Sequence, residues 1–401
     1  MIVSKHIGFF FILSCALTVY SQRRTPLPEG MNEAILQDEA CREIFSDINK
    51  YRFELLVTFI DRKPNGKVRL RNYGTADDQR YYYPASVVKL PMAIAVLKTF
   101  EEKERQQPCS WKPGVLCDNN YYNSADLNIL LQKMLVYSDN NSFNQLFDAV
   151  GRRELNETMR DVGMKHSRIS RRFMWCSDSA YAVHPAIKIG HIDNEFREAP
   201  SGKIKKDKTR FTDAEIGVKH WSATGMRAGS RNFSDHNYIE LQELHDLIVD
   251  ISTGNKTKKY LGEQAFRQLL FLMSTTPDKL GDMKTYRGIT KFLYFGENNS
   301  NVNEFDNIIS LNIIGQAYGF MLESAYLCNL ETGAEVIISV RGYFNKNDIL
   351  GDDIYEYKTI GYPAFRHIAR VLLDRAANRN RQNLEEWKKE SFYFNDSPIT
   401  K

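Results

Sequence analysis

Strand-like patterning is confined to the two ends of this chain, and helical patterning fills the space between. Phe53, Leu55, Val57 and Phe59 alternate with other residues as a half-buried strand does. Pro64-Asn65-Gly66 is a strong turn signal, and Val68 and Leu70 begin a return strand, so this segment predicts a hairpin. Near the other end, Ile308–Ile314, Gly319–Asn329 and Glu335–Phe344 are rich in β-branched and aromatic residues, with a turn at Glu331-Thr332-Gly333. The two groups predict one antiparallel sheet built from both ends of the chain and packed by helices on its faces. That is an α+β architecture with discontinuous halves.

The stretch from Asn32 to about Asn49 reads as a first helix. Leu127, Leu130, Leu131 and Met134 fall at helical spacing, with Ser124 placed as a cap. Phe143, Leu146, Phe147 and Val150 repeat that spacing up to Gly151, and Leu155, Met159 and Val162 lead to Gly163. Residues 165–235 are rich in Arg, Lys, Ser and Gly and predict long loops with short elements. Helical spacing resumes at Leu241, Leu244, Ile248 and Ile251 and again over Phe266–Met273. Pro363 opens a closing helix that carries Phe365, Ile368 and Leu372, and the tail after Asn378 is polar.

With 42% apolar and 26% charged residues, the composition is that of an ordinary globular chain. The net charge is +4 on 54 basic and 50 acidic residues, which gives no reason to expect nucleic acid as a partner. Lys5 and His6 precede the apolar run Ile7 to Tyr20, which is short for a membrane span of about 20 residues. The run reads as a secretory signal peptide over 1–21, cleaved after Val19-Tyr20-Ser21. A lipoprotein anchored at Cys15 is the second reading. Residues 22–378 then form the mature domain, residues 379–401 a polar tail, and the expected location is the periplasm or another exported compartment. Cleavage leaves five of the six cysteines, of which Cys109 and Cys117 are close enough to bridge a loop. The cysteine and histidine spacings match no zinc site. The mature chain is expected to be a monomer without a membrane-spanning segment.

Chemistry concentrates at Tyr83-Pro84-Ala85-Ser86-Val87-Val88-Lys89-Leu90-Pro91. After Pro84 the chain passes from aromatic, strand-like residues into an apolar run, so Ser86 sits at a helix start and Lys89 shares its face. A serine hydroxyl is a poor nucleophile until a base takes its proton. A partly desolvated lysine has a lowered pKa and can be that base, and the Ser86 N–H faces any oxyanion that develops. Ser-x-x-Lys alone occurs by chance, and Pro91 sits where a regular helix wants an N–H, which predicts a distorted helix. Ser138-Asp139-Asn140, between two predicted helices, is by itself an ordinary cap.

Taken together, in this order and with a helix between, the two motifs resemble the class A β-lactamase and penicillin-binding-protein superfamily. The resemblance spans roughly residues 35–375. It is closer to a group of uncharacterised β-lactamase-like serine hydrolases, on Tyr83–Pro91, Gly315-Gln316-Ala317-Tyr318-Gly319 and Tyr355-Glu356-Tyr357. It implies that Ser86 is acylated, Lys89 moves protons, Ser138 relays a proton to the leaving group and Asn140 holds the substrate amide. Asp139 would brace the loop. Gly315 and Gln316 would lie on the pocket strand, with Gln316 giving a second oxyanion N–H. No metal or organic cofactor is implied, and the partner is a small-molecule or peptide-like substrate.

The superfamily's third motif, Lys-Thr/Ser-Gly, is altered. The matching strand reads Leu311-Asn312-Ile313-Ile314-Gly315-Gln316, with isoleucine at the lysine and hydroxyl positions. Ala223-Thr224-Gly225 and Glu331-Thr332-Gly333 lack the lysine too, which leaves Lys219, Arg227 or Arg341 to replace the cation. Arg168–Asp178, where the resemblance puts a deacylating glutamate, contains none, and Glu195 and Glu198 come later without the surrounding pattern. A serine hydrolase acting on an ester, amide or β-lactam is the leading reading. The alternative is a slow or inactive binding or sensor protein on the same fold. A third reading, an interaction domain with Ser86 as a cap and Lys89 in solvent, requires Ser86, Lys89 and Ser138 to lie apart.

Overall fold

The computed structural model describes residues 24–62, 67–77, 79–111, 125–173, 187–189, 211, 213–222, 225–280, 291–293 and 308–377. Its main sheet has five strands: β1 (Glu54–Arg62), β2 (Val68–Thr75), β3 (Ile308–Ala317), β4 (Phe320–Asn329) and β5 (Glu335–Tyr343). All pairings are antiparallel, in the spatial order β3-β4-β5-β1-β2. The two ends of the chain meet where β1 pairs with β5, from Glu54 opposite Arg341 to Phe59 opposite Val336. At one end of this seam Arg341 donates to both Glu54 carboxylate oxygens, at 3.0 and 2.8 Å. At the other, Arg62 grips the buried Glu335 at 2.9 Å through two nitrogens, and the Tyr326 hydroxyl donates to it at 2.9 Å.

β1 is not half-buried. Every residue from Glu54 to Ile60 is buried, because both faces of the sheet are covered. Leu55, Val57 and Phe59 pack with α1 (Glu29–Ile35), α2 (Glu39–Ser46) and the closing helix. Leu56 and Ile60 face the helical block. The single N-terminal helix predicted is these two short ones, because Asp38 caps α2 by accepting the Cys41 N–H at 3.0 Å.

The block consists of α3 (Lys89–Thr99), α4 (Leu127–Val136), α5 (Asn140–Val150), α6 (Arg152–Val162), α7 (Leu241–Thr253) and α8 (Glu263–Ser274). Asp126 caps α4 by accepting the Ile129 N–H at 2.8 Å; Ser124 lies outside the described residues. Gly151 and Gly163 end α5 and α6 at φ of 84° and 110°, a backbone that glycine adopts without a Cβ penalty. The closing helix, α9 (Tyr362–Ala377), follows a π-turn over Tyr357–Gly361. Short hairpins, such as Lys219–Ser222 with Gly225–Ala228, occupy the loop-rich region. Cys109 is a buried free thiol, so the bridge its spacing permits is not formed; its side chain faces the core and donates to the Gln107 carbonyl. Residues 1–21 and the tail lie outside the described residues, among which no helix is long and apolar enough to cross a membrane.

A line of polar side chains crosses the block-facing side of the sheet under α7. Ser324 and Ser339 hydroxyls are 2.6 Å apart, and Ser339 is 2.8 Å from His245 Nδ1. His245 Nε2 is 2.8 Å from Thr58 Oγ1, which donates to Asn72 at 2.6 Å. Because Thr58 spends its proton on Asn72, Nε2 must carry the ring proton and Nδ1 must accept from Ser339. Complete burial holds the imidazole pKa well below its ordinary 6.5. The unfolded chain therefore takes up a proton below about pH 6.5 that the native state refuses, and stability falls as pH drops through that range. Urea titrations at pH 7.5 and 5.5 should show this loss. At pH 7.5, His245→Ala should cost about 1–3 kcal/mol by stranding Thr58 and Ser339, and its remaining pH slope should be shallower.

Candidate active site

The segment that carries Ser86 is held by the tyrosines before it, not by a strand. The Tyr82 hydroxyl donates to the Met321 carbonyl at 2.8 Å, touches the Gly342 carbonyl and accepts the Met321 N–H at 3.1 Å. Tyr81 donates to the Asn237 carbonyl at 2.9 Å, and its N–H reaches Asp213 at 2.9 Å. Residues 81–84 spend their hydrogen bonds sideways in this way and form no ladder, which corrects their strand-like reading. Ala85 follows at φ 44°, and Ala85–Val88 make a 3-10 turn that carries Ser86 into α3. Because α3 begins only at Lys89, Pro91 falls in its first turn, where no N–H is needed and no distortion results.

The structure brings Ser86, Lys89, Ser138 and Asn140 together. Lys89 Nζ is 2.9 Å from Ser86 Oγ, 3.0 Å from Ser138 Oγ and 2.8 Å from Asn140 Oδ1, and it also touches the Ser138 carbonyl. Ser138 has φ 55°, a left-handed conformation that turns its carbonyl and hydroxyl to one side. Asp139 caps α5 by accepting the Ser142 N–H at 2.6 Å. Lys89 is 1% exposed, so water reaches it hardly at all. Phe173 lies over it at 5.2 Å, pinned by Asn144, which accepts its N–H at 2.8 Å and donates to its carbonyl at 3.2 Å. Burial lowers the Lys89 pKa to about 7 against the raising effect of Asp139.

Gly315 lies against this segment. A Cβ there would fall 2.4 Å from the Pro84 carbonyl and 3.3 Å from the Ser86 nitrogen, so only glycine lets the edge strand come this close. The Gln316 side chain accepts from the Tyr362 hydroxyl at 2.9 Å. Beyond it, Tyr318 and Gly319 turn the chain with φ of 56° and 85°, as a two-residue hairpin requires. Tyr357 braces that turn, accepting the Gly319 N–H at 2.7 Å. Tyr355 accepts the Gly351 N–H at 2.7 Å, and Glu356 accepts the Lys346 N–H at 2.9 Å.

Ile313 and Ile314 are buried, as two-sided packing of the strand demands. The Arg341 guanidinium, already paired with Glu54, is 2% exposed and cannot stand in for the missing lysine. Lys219 and Arg227 lie on the hairpin of residues 219–228. The cation beside the site is instead Lys291. A cavity of about 20 Å³, enough for one water, is lined by Lys89, Ser138, Lys291, Asn312 and Ile313 among others. Lys291 donates to the Asn312 amide oxygen and, at 3.2 Å, to the Ser310 carbonyl; Asn312 donates at 2.7 Å to the buried Glu323. No motif marks Lys291, which precedes β3 in the chain. Its only sequence signal is a polar Asn312 within an apolar strand.

His166, Glu240 and Glu243 bring three potential metal-ligand atoms within 4.8 Å of one another. Glu243, however, already accepts the N–H groups of Lys165, His166 and Ser167 at 2.6, 2.8 and 2.9 Å, so it serves as a clamp on that turn.

The sequence profile of the beta-lactamase enzyme family matches residues 71–283, and the chain belongs to that family. Its fold is that of β-lactamases and penicillin-binding proteins. A β-lactamase from Desulfarculus baarsii superposes with a TM-score of 0.51 at 14% identity, covering 85% of this chain and 98% of its own. PBP-A, seen as a mutant in an acyl-enzyme complex with penicillin G, superposes with a TM-score of 0.50 at 14% identity, covering 88% of this chain and 97% of its own. No curated protein sequence matches the chain.

The close approach at Gly315 predicts opposite signs for two similar changes. Gly315→Ala should lower stability in chemical denaturation by about 1–3 kcal/mol through overpacking. Gly30→Ala, on a helix where a Cβ meets nothing within 4 Å, should raise it by roughly 0.5–1 kcal/mol.

Proposed function

We propose that the protein is an exported serine hydrolase that acts through an acyl-enzyme on Ser86, with Lys89 as the base. Hydrogen-bond arithmetic at Lys89 carries this reading. Of the four oxygens around Nζ, the Ser138 carbonyl and the Asn140 amide oxygen can only accept. A neutral amine gives its two N–H bonds to these, and its lone pair is left facing the Ser86 and Ser138 hydroxyls. A base with a pKa near 7 is matched to proton transfer at neutral pH.

Lys89 takes the Ser86 proton as Oγ bonds to the substrate carbonyl carbon. The oxyanion that forms faces the Ser86 and Gln316 N–H groups. Ser138 passes a proton to the departing oxygen or nitrogen as its bond to carbon breaks. Asn140 orients the substrate amide by exchanging its contact with Lys89 for one to substrate. Water then hydrolyses the acyl ester, with Lys89 again as base. The covalent penicillin G adduct of PBP-A makes a β-lactam a sensible first reagent beside simple esters. Export rests on the N-terminal apolar run, and the periplasm is the proposed compartment.

A second reading, a sensor that holds its adduct, is favoured by one observation. Among the described residues, no carboxylate hydrogen-bonds Ser86, Lys89 or Ser138 to activate a deacylating water.

Intact-protein mass after exposure to a fluorophosphonate and, separately, a β-lactam should show one adduct on the parent and none on Ser86→Ala. Equal labelling of both proteins sinks the acyl-enzyme. Decay of the β-lactam adduct with product release indicates a hydrolase, and persistence indicates a sensor.

Because only the neutral amine is a base, the labelling rate should rise with pH through a midpoint near 7 and then level. Lys89→Ala should slow labelling by about 10²–10⁴-fold. A rate independent of pH between 5.5 and 9 would remove Lys89 from the role of base.

A further inference from the structure

The strand beside Ser86 has a direction relative to the chemistry. Residues 312–314 line the cavity shared with Lys89 and with Ser138, the residue proposed to protonate the leaving group, which makes that the leaving-group side of the proposed reaction. Gly315 lies at Ser86, the strand ends two residues further at Ala317, and Tyr318 opens the turn beyond it. Tyr318 therefore flanks the acyl side. Its ring is 5.5 Å from that of Tyr83, which is 5.5 Å from Phe233.

The guanidinium of Arg231 lies beside this cluster of tilted rings, 5.3 Å from the centre of the Tyr318 ring and 5.4 Å from that of Phe233. Among the described residues, nothing accepts a hydrogen bond from it and no carboxylate pairs with it. The acidic groups nearby in the fold are otherwise engaged. Glu215 accepts from Ser230 at 3.0 Å and Asn232 at 3.3 Å, Asp235 is 3.7 Å from Arg171, and Asp213 is 2.6 Å from Arg52. The local field is positive as well. Burial and then the guanidiniums of Arg171, Arg231 and Arg168 hold His236 neutral, its pKa down to about 2.

We propose that Arg231, held over the rings of Tyr318 and Phe233, is a specificity residue that binds a carboxylate carried by the acyl part of the substrate. A planar guanidinium offers two parallel N–H bonds to a carboxylate. The proposal rests on the acyl-enzyme reading, since that reading defines which side of Ser86 the acyl group occupies. It names an anionic acyl chain as the substrate class.

The test compares p-nitrophenyl monoesters of suberic acid with p-nitrophenyl octanoate, which has the same chain length without the charge. The parent should prefer the anionic ester in kcat/KM by about tenfold or more, the scale of a charged hydrogen bond. The preference should lie mainly in KM and fall towards one in Arg231→Ala and Arg231→Gln. Arg231→Lys should recover only part of it. An anionic-to-neutral ratio that is the same in parent and variants overturns the proposal. Calorimetric titration of free suberate into Ser86→Ala, with and without Arg231→Ala, separates the two readings. Binding that depends on Arg231 upholds the subsite even if no ester acylates Ser86. Suberate binding that is absent, or indifferent to Arg231, overturns it whether or not Ser86 reacts.

Discussion

The pairing of β1 with β5 is the constraint on which everything else rests. It joins Glu54–Phe59 to Val336–Arg341 and so makes one sheet of two chain ends. The salt bridge at its rim, between Arg341 and Glu54, is almost wholly buried. Such a pair adds little to net stability against an apolar substitute, but breaking one partner leaves a stranded charge. Its effect is on register: a slip by one residue would part the two charges and turn Leu55, Val57 and Phe59 to the wrong face. Tyr82 packs its ring 4.7 Å from the Arg341 guanidinium and hydrogen-bonds to strands β4 and β5, so the same seam fixes the approach to Ser86.

Much of the fold is legible in the sequence because it rests on periodicity. The i, i+3, i+4, i+7 runs from Leu127 and Phe143 became α4 and α5, and the β-branched runs near the C-terminus became β3, β4 and β5. Alternation was a poor guide to burial at β1, because helices cover both faces and Leu56 and Ile60 are buried as fully as Leu55 and Val57. The first helix divided because one capping side chain, Asp38, outweighed a continuous pattern.

The candidate site divides along a similar line. Ser86, Lys89, Ser138 and Asn140 stand in two short motifs, and their convergence is what the family resemblance of those motifs implies. Lys291 and Arg231 lie in stretches without periodicity, and what gives them meaning is contact: Lys291 with a strand edge, Arg231 with two rings. No local signal in a sequence encodes such neighbours. Of the three cations the sequence offers in place of the missing lysine, Lys219, Arg227 and Arg341, the last is committed by the sheet to Glu54.

Ser86 and the strand beside it are made far apart in synthesis. Gly315 and Gln316 close on Ser86 only after β3 has formed, and the braces for that strand, Tyr357 and Tyr362, come later still. A growing chain thus carries Ser86 and Lys89 for most of its length without the strand that flanks them. A chain cut short before residue 357 would carry both motifs and lack the tyrosines that brace the strand beside Ser86.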